Sequence, residues 1–164
     1  MVALDMPGPL RVRALTEADH ARWLELWAGY LEFYEVELDP GITETTWRRL
    51  IGDDDGTHEG VVAVDDDGVI VGFAHALYHR STWTEGWYCY LEDLFVDPAC
   101  RGKGAGQVLI EAVVKDAKAR DTARVFLITN ESNARARALY DKVMTLAPFV
   151  QYRVQLKGAS TKAR

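Results

Sequence analysis

The stretch Tyr90-Leu-Glu-Asp-Leu-Phe-Val96, followed after four residues by Arg101-Gly-Lys-Gly-Ala-Gly106, decides the fold of this chain. Its first part is an apolar strand that carries two carboxylates, and its second part is a glycine-rich loop. The apolar residues after the loop recur at helical spacing and predict a helix over Ala105–Arg120. A strand, a loop and a helix in this order are typical of an α/β domain.

The segments around this unit predict a mixed sheet. The predicted strands are Leu10–Ala14, Val61–Val64, Val69–Tyr78, Tyr88–Val96, Arg124–Thr129 and Phe149–Leu156. Three further helices are predicted: one starts at Thr16, a second spans Thr43–Ile51 after a break at Pro40-Gly41, and a third runs from Asn133 to about Val143. The turn Asp65–Gly68 indicates a β-hairpin. The crossover from Leu91 to Ile128 indicates one parallel pair. We therefore expect a mixed, mostly antiparallel sheet with helices on both faces.

Length and composition favour a single α/β domain. The chain has 164 residues, of which 48% are hydrophobic and 27% are charged, which is enough for one full core and too short for two ordinary domains. We expect a loose lead-in at 1–9, the domain at 10–157 and a disordered tail at 158–164.

Charge and cysteine content exclude several classes of protein. The net charge of −6 disfavours binding to nucleic acid and suits a cationic substrate. Neither a signal peptide nor a membrane span is recognisable in the sequence. Cys89 and Cys100 form no CxxC pair, which argues against a zinc site or a disulfide framework. We therefore expect a cytoplasmic protein without a metal.

The loop Arg101–Gly106 has the features of a pyrophosphate site. Glycines allow close approach of a ligand to the backbone, and the start of a helix offers N–H groups and a positive dipole end. A Rossmann fingerprint would need glycine at position 107, where Gln107 stands, and the Gly-Lys-Ser/Thr of a Walker A loop is missing. A flexible strand–helix connection is the alternative, but it would not need three glycines and two cations.

The carboxylates of Glu92 and Asp93 need an explanation, because a charge inside an apolar strand is costly unless it is paired. By strict alternation Glu92 shares a face with Tyr90, Leu94 and Val96, and Asp93 points the other way. The alternative for both residues is a structural role, in which a neighbouring strand or helix end pairs with the carboxylate, and this interpretation is favoured for Asp93.

Two motifs resemble those of the GNAT superfamily of N-acetyltransferases over about Tyr88–Lys142. Arg-x-x-Gly-x-Gly after Glu-Asp-Leu-Phe-Val-Asp-Pro resembles its acetyl-CoA signature, and Asn133-Ala-Arg-Ala-Arg-Ala-Leu-Tyr140-Asp-Lys142 resembles its second motif. Leu91–Pro98 and the terminal Pro148-Phe-Val-Gln-Tyr-Arg are similar to the polyamine acetyltransferases and to small GNATs that act on histones or polyamines. Val143-Met-Thr stands where most members have glycine, so we expect a different wall of the acceptor pocket.

The resemblance implies acetyl transfer from acetyl-CoA to a primary amine of a polyamine, another small amine or a protein. It places the cofactor on Leu94, Phe95, Val96, Arg101, Gly102, Lys103, Gly104, Ala105, Gly106, Asn133 and Lys142, with a strand bulge near Leu94–Val96. It makes Tyr140 the general acid and Glu92 the group that binds the acceptor's ammonium and takes its proton. A non-catalytic acyl-CoA-binding module is the alternative, although it would need neither Glu92 nor Tyr140.

Acceptor contacts and assembly are expected at two further places. The stripe Trp23, Trp27, Tyr30 and Tyr34 is either core or an aromatic wall for the acceptor, with Trp27 as the candidate contact. Tyr152, in the terminal segment that carries the resemblance, is a second candidate. The resemblance also implies a homodimer or larger oligomer, formed through the sheet or through Phe149–Leu156.

Overall fold

Five strands form one sheet in the order β1-β2-β3-β4-β5, in a computed structural model that describes residues 9–52 and 55–157. They are β1 Arg11–Ala14, β2 His58–Val64, β3 Ile70–Arg80, β4 Trp87–Val96 and β5 Thr122–Phe126. Neighbours pair antiparallel except β4 and β5, which are parallel. The predicted fold class, the hairpin and the parallel crossover are therefore confirmed. The predicted lead-in at 1–9 and tail at 158–164 lie, apart from Pro9, outside the described residues.

The described residues form four α-helices. α1 His20–Phe33 and α2 Pro40–Leu50 lie between β1 and β2, α3 Ala105–Ala119 lies between β4 and β5, and α4 Ala134–Val143 follows β5. Short 3₁₀ turns precede α1 at Glu17–Asp19 and follow β4 at Pro98–Cys100. No helix in the described part of the chain is both long and apolar enough to cross a bilayer.

Polar contacts of Asp19 fix the entry to α1. Its carboxylate accepts hydrogen bonds from the Thr16 backbone N–H (2.8 Å) and hydroxyl (3.0 Å) and a bidentate pair from the Arg13 guanidinium (2.6 and 2.9 Å). The hydrogen bonding by Arg13 is the main reason that the pKa of Asp19 falls to about 2. The N-terminal turn is thus tied to β1.

The start of α2 corrects a prediction. Pro40 does not break the chain; it is the first residue of α2, and the Asp39 carboxylate caps the helix by accepting from the Gly41 N–H at 2.7 Å. Proline is well suited to this position, because the first helical N–H has no intrahelical partner and the ring already holds a helical φ.

The helices cover both faces of the sheet, as predicted. Trp23, Leu26, Trp27 and Tyr30 follow the i, i+3, i+4, i+7 pattern and are buried with Trp47 of α2 against one face. The buried side chains of α3 (Ala105, Leu109, Ile110, Val113 and Ala117) cover the other face, where α4 packs beside α3. The aromatic stripe of α1 is therefore core.

The predicted last strand, Phe149–Leu156, is wrong for the single chain. Residues 145–157 form no helix or strand, and Val150, Tyr152, Val154 and Leu156 are 79–94% exposed. A sequence with period-two alternation becomes a strand only when another strand accepts its hydrogen bonds. Within the described residues of one chain, β5 pairs with β4 and with no other strand.

Candidate active site

The glycine loop between β4 and α3 is open on its outer side. Gly102 and Gly104 have φ values of +81° and +85°, which disfavour side chains with a β-carbon. A β-carbon built on either residue would meet no protein atom within 4 Å. The backbone conformation therefore requires glycine, and the space outside these two residues is available to a ligand.

The start of α3 presents unused hydrogen-bond donors to this space. The first intrahelical bond runs from the Val108 N–H to the Gly104 carbonyl at 3.1 Å, so the N–H groups of Ala105, Gly106 and Gln107 have no acceptor within the helix. Gly104, the N-cap residue, has no side chain that could accept from them. With the exposed Lys103 beside them, these donors form a site for an anion.

Arg101 directs its side chain towards α1. Its Nε donates to the Val96 carbonyl at 3.2 Å, and its guanidinium lies 5.8 Å from the centre of the Phe95 ring. Both Arg101 and Phe95 line a cleft of about 400 Å³ between α1 and the end of β4. The opposite wall includes Gly29 and Phe33 of α1. The cleft therefore lies where β4 ends and the glycine loop begins.

The β4 strand carries a bulge at Glu92. In the pairing with β3, His75 lies opposite Asp93 and Ala76 lies opposite Leu91, so Glu92 is the extra residue. The bulge was predicted near Leu94–Val96 and lies further towards the start of the strand, because the register with β3 shifts between His75 and Ala76.

The bulge reverses the side-chain alternation of β4. Cys89 and Leu91 face α3, and beyond Glu92 it is Leu94 and Val96 that pack on that side. Phe95 packs with the α1 cluster instead. The strict alternation that put Glu92, Leu94 and Val96 on one face is therefore wrong. Glu92 itself is partly exposed.

The strands β4 and β5 part next to the bulge. Their register ends at the pair Tyr90–Phe126, whose rings stack with centroids 5.1 Å apart, whereas β4 continues to Val96. The second half of β4 therefore borders a gap in the sheet. Glu92 lies at the head of this gap, and the glycine loop follows its far end.

Tyr140 lies on the α3 side of the sheet. It lies on α4, partly buried beside the α3 cluster. Burial is the main cause that raises its pKa to about 12, and an electrostatic contribution from Tyr34 adds to it. Tyr34 ends α1, on the opposite face of the sheet, so the two tyrosines are brought within electrostatic range across the sheet.

The other predicted site residues have different surroundings. The Asn133 carboxamide accepts from the Ala136 N–H at 3.4 Å as the N-cap of α4, and Lys142 is exposed. Trp27 is only 6% exposed and donates from Nε1 to the Thr43 hydroxyl at 3.1 Å, which favours the core interpretation. Tyr152 is 94% exposed and is not among the residues that line the cleft.

Sequence reasoning missed a buried polar network next to the bulge. Asp93 accepts from His75 Nδ1 (2.9 Å) and from the Tyr30 hydroxyl (2.5 Å), and the Trp23 indole donates to His75 Nε2 (3.0 Å). The favoured interpretation of Asp93, satisfied by its neighbours, agrees with these bonds. The available signal was a histidine and an aspartate within otherwise apolar strands. In the described residues, no group of three or more His, Cys, Asp and Glu could hold a metal ion.

Comparison with known proteins identifies the family. The model of the Acetyltransferase (GNAT) family matches residues 21–145. The chain belongs to this family. It is 35% identical over 145 residues to the D-amino-acid N-acetyltransferase HPA3 of Saccharomyces cerevisiae, covering 87% of this chain and 88% of that protein. It is also 35% identical over 137 residues to the thialysine N-epsilon-acetyltransferase of Mus musculus, covering 79% and 80%.

Solved structures agree on the fold of this GNAT protein. A probable acetyltransferase superposes with a TM-score of 0.79 at 17% identity, covering 90% of this chain and 98% of that one. The ribosomal-protein-alanine N-acetyltransferase of Brucella melitensis superposes with a TM-score of 0.74 at 20% identity, covering 90% and 100%. At these identities the likeness concerns the fold alone. The resemblance inferred from the two motifs is confirmed at the level of the family.

Proposed function

We propose that this GNAT protein transfers the acetyl group of acetyl-CoA to a primary amine. One observation carries the proposal: the pairing of β4 and β5 ends at Tyr90 and Phe126, which leaves Glu92 at the head of a gap, and free N–H donors lie where α3 begins. In this proposal Tyr140 of α4 lies beside the same gap. A thioester that reaches the gap along β4 meets a carboxylate and a phenol from different elements. A base for the amine and an acid for the leaving thiolate each accelerate acyl transfer.

The anion site and β4 hold acetyl-CoA in this proposal. The N–H groups of the loop Gly102–Gly106 and of the first turn of α3 bind the pyrophosphate, with Lys103 and Arg101 adding positive charge. The backbone of Leu94, Phe95 and Val96 receives the pantetheine arm and the thioester oxygen. Asn133 and Lys142 contact the cofactor from α4. The bare N-terminus of α3, which has no side-chain cap, supports this assignment.

Glu92 prepares the acceptor. An alkylamine has a pKa near ~10.4 and therefore arrives protonated at neutral pH. The carboxylate binds the ammonium and accepts one of its protons, directly or through water. The freed amine nitrogen then forms a bond to the thioester carbon as the carbon–sulfur bond breaks. Help of this kind is worth roughly 10²–10⁴ in rate.

Tyr140 protonates the departing thiolate. Because burial raises its pKa to about 12, the phenol keeps its proton throughout the pH range of an enzyme assay. It gives that proton to the coenzyme A sulfur and regains one from solvent. The nitrogen loses its first proton to Glu92 and a second one as the amide forms, and both pass to solvent, so one proton is released for each ammonium acetylated. The net products are the acetylated amine and free coenzyme A.

The acceptor is a small primary amine in this proposal. Among the relatives, one is named for D-amino acids and another for thialysine, so free amino acids head the acceptor panel. Spermidine represents the polyamine branch, and a lysine-containing histone-tail peptide represents protein acceptors. Thiol release from acetyl-CoA with one class of amine, at a rate far above the amine-free background, supports catalysis. Tight acetyl-CoA binding with no release above background for any amine would favour the acyl-CoA-binding module.

A second copy of the chain is proposed to cover the terminal segment. The apolar members of Val150–Leu156 alternate with polar residues and lie in solvent, while β5 has an open edge in the described residues. Strand addition between copies would bury both, and Tyr152 would then contact the acceptor from that strand. Light scattering at micromolar concentration should give a dimer mass or larger, and Val154→Asp should lower it. A monomer mass in the wild type contradicts this proposal.

The cytoplasmic location stays a prediction.

A further inference from the structure

The buried network of Trp23, His75, Asp93 and Tyr30 has a fixed direction. Trp23 is at one end, and an indole can only donate. Because its N–H points to Nε2 of His75 at 3.0 Å, the imidazole proton lies on Nδ1, which donates to Asp93 at 2.9 Å. The Tyr30 hydroxyl donates to the other oxygen of the same carboxylate. Two of the three hydrogen bonds therefore end on Asp93, and the third, from Trp23, fixes the His75 tautomer that donates to it.

Three separate elements meet at this carboxylate. Trp23 and Tyr30 lie on α1, His75 lies on β3, and Asp93 lies on β4. His75 is 1% exposed and Asp93 is 6% exposed. Hydrogen bonds to a buried charged group are strong and intolerant of displacement, because water cannot replace a lost partner. Asp93 is thus held in place from two sides.

The position of the network in the sheet gives it a consequence for the active site. His75 and Asp93 lie opposite each other at the last position before the register shifts, and the neighbouring residue of β4, Glu92, is the extra residue of the bulge. A bulge places its extra side chain by the way that the flanking pairs are anchored. The hydrogen bond between the side chains of His75 and Asp93 anchors the part of β4 that follows the bulge.

The same network extends towards the second functional group. The rings of Tyr30 and Tyr34 contact each other edge-on with centroids 4.9 Å apart, and Tyr34 influences Tyr140 electrostatically. The end of α1 therefore bonds to β4 through Tyr30, and its Tyr34 lies within electrostatic range of the Tyr140 phenol on α4.

We propose that Asp93, held by His75 and Tyr30, is a positioning residue that fixes the β4 bulge and thereby the direction of the Glu92 side chain. It touches no substrate. The consequence for catalysis rests on the role proposed for Glu92, whereas the consequence for the backbone does not. A misplacement of about 1 Å at a reacting group costs up to ~10²-fold in rate, so loosening of the bulge should be visible in kinetics.

The test variant is Tyr30→Phe, and the matched control is Tyr78→Phe. Tyr30→Phe removes one donor to Asp93 and keeps the ring. Tyr78→Phe removes a comparable bond, from the Tyr78 hydroxyl to Asp116 at 2.7 Å, on the α3 side of the sheet. Both variants lose one tyrosine–aspartate hydrogen bond. Asp93 is buried, whereas the Asp116 side chain is 44% exposed, so Tyr30→Phe should lower the melting temperature more than Tyr78→Phe. Trp23→Phe provides a second probe, because it removes the donor to His75.

Amide hydrogen exchange measured by NMR reads out the bulge without any ligand. Tyr30→Phe and Trp23→Phe should accelerate exchange at residues 91–94, and Tyr78→Phe should not.

With the fastest amine of the panel, Tyr30→Phe should lower kcat/KM for the amine about tenfold or more, while the dissociation constant of acetyl-CoA, measured by calorimetry, changes less than twofold. If Asp93 has only a structural role, both tyrosine variants lose stability, and Tyr30→Phe shows no loss of kcat/KM for the amine beyond its change in acetyl-CoA affinity.

Two outcomes separate this inference from the proposed function. Unchanged exchange at residues 91–94 in folded Tyr30→Phe and Trp23→Phe overturns the positioning role, whatever the kinetics. Accelerated exchange with normal turnover in both Tyr30→Phe and Glu92→Gln supports the positioning of the bulge and rejects Glu92 as the base.

Discussion

Substitution of Gly104 separates the cost of backbone strain from the loss of the anion site. Gly104 has a φ of +85° and no protein atom within 4 Å of a β-carbon, so Gly104→Ala strains the backbone without a clash. An alanine in this region costs about 1–2 kcal/mol. For a chain of this length, that lowers the melting temperature by roughly 2–8 °C. The new methyl group points into the space that the pyrophosphate would occupy.

Gly68→Ala is the matched control for this strain. Gly68 has a φ of +78° in the β2–β3 turn and likewise no atom within 4 Å of a β-carbon. Both alanine variants should therefore melt earlier by similar amounts. Only Gly104→Ala should weaken acetyl-CoA binding, because each hydrogen bond lost to a charged phosphate costs about 1.5–3 kcal/mol, which corresponds to at least about tenfold in the dissociation constant.

Gly104→Asp adds a second signature. A carboxylate at the N-cap can accept from the first N–H groups of α3, and aspartate tolerates a positive φ better than alanine does. This variant should be no less stable than Gly104→Ala, yet it should bind acetyl-CoA more weakly, because the carboxylate occupies the donors and repels phosphate. Calorimetry and thermal melting measure the two quantities. Equal dissociation constants for wild type, Gly104→Ala and Gly104→Asp would refute the anion site.

Three further predictions concern single side chains. Glu92→Gln should lower turnover with little change in acetyl-CoA affinity, most strongly at low pH where more of the amine is protonated, and a pH–rate profile that matches wild type would make Glu92 structural. Tyr140→Phe should lower kcat roughly tenfold to a thousandfold with little change in KM for acetyl-CoA; normal turnover with a stability loss of about 1 kcal/mol would instead mark a buried structural hydroxyl. The pKa of Asp19 is lowered to about 2 by Arg13, so its stabilisation is complete above about pH 4 and is lost as the pH falls towards 2. Asp19→Asn should flatten the pH dependence of the unfolding free energy in that window, and an unchanged acid limb would contradict the role of the pair.

Local signals in the sequence were sufficient for most of the fold. Turn residues at Asp65–Gly68 placed the hairpin, and Asn133 marked the start of α4, where it is the N-cap. Gly102 and Gly104, which precede α3 with positive φ values, also indicated the strand–helix loop in which the anion site is proposed, because a helix start and a positive φ are both determined by neighbouring residues. These features depend on contacts within a few positions of the chain.

Features set by distant partners escaped sequence reasoning. The bulge lies at Glu92 because β3 and β4 shift register between His75 and Ala76, and no local pattern encodes that offset. The last strand was predicted from the alternating pattern of Phe149–Leu156 and is wrong, because no strand in the described residues pairs with this segment. Pro40 was interpreted as a break, although the capping Asp39 before it indicates a helix start.

The bulge also resolves the problem of two adjacent carboxylates in an apolar strand. Without it, alternation would place one of them in the core on each face. With it, Asp93 faces the α1 side, where His75 and Tyr30 hydrogen-bond it, and Glu92 stays partly exposed at the head of the gap beside β5. Neighbouring residues of one type thereby acquire separate tasks. Asp93 is the carboxylate buried among donors from α1 and β3, and Glu92 is the carboxylate that stays accessible from the gap, which is why the proposed function assigns the acceptor to Glu92 and not to Asp93.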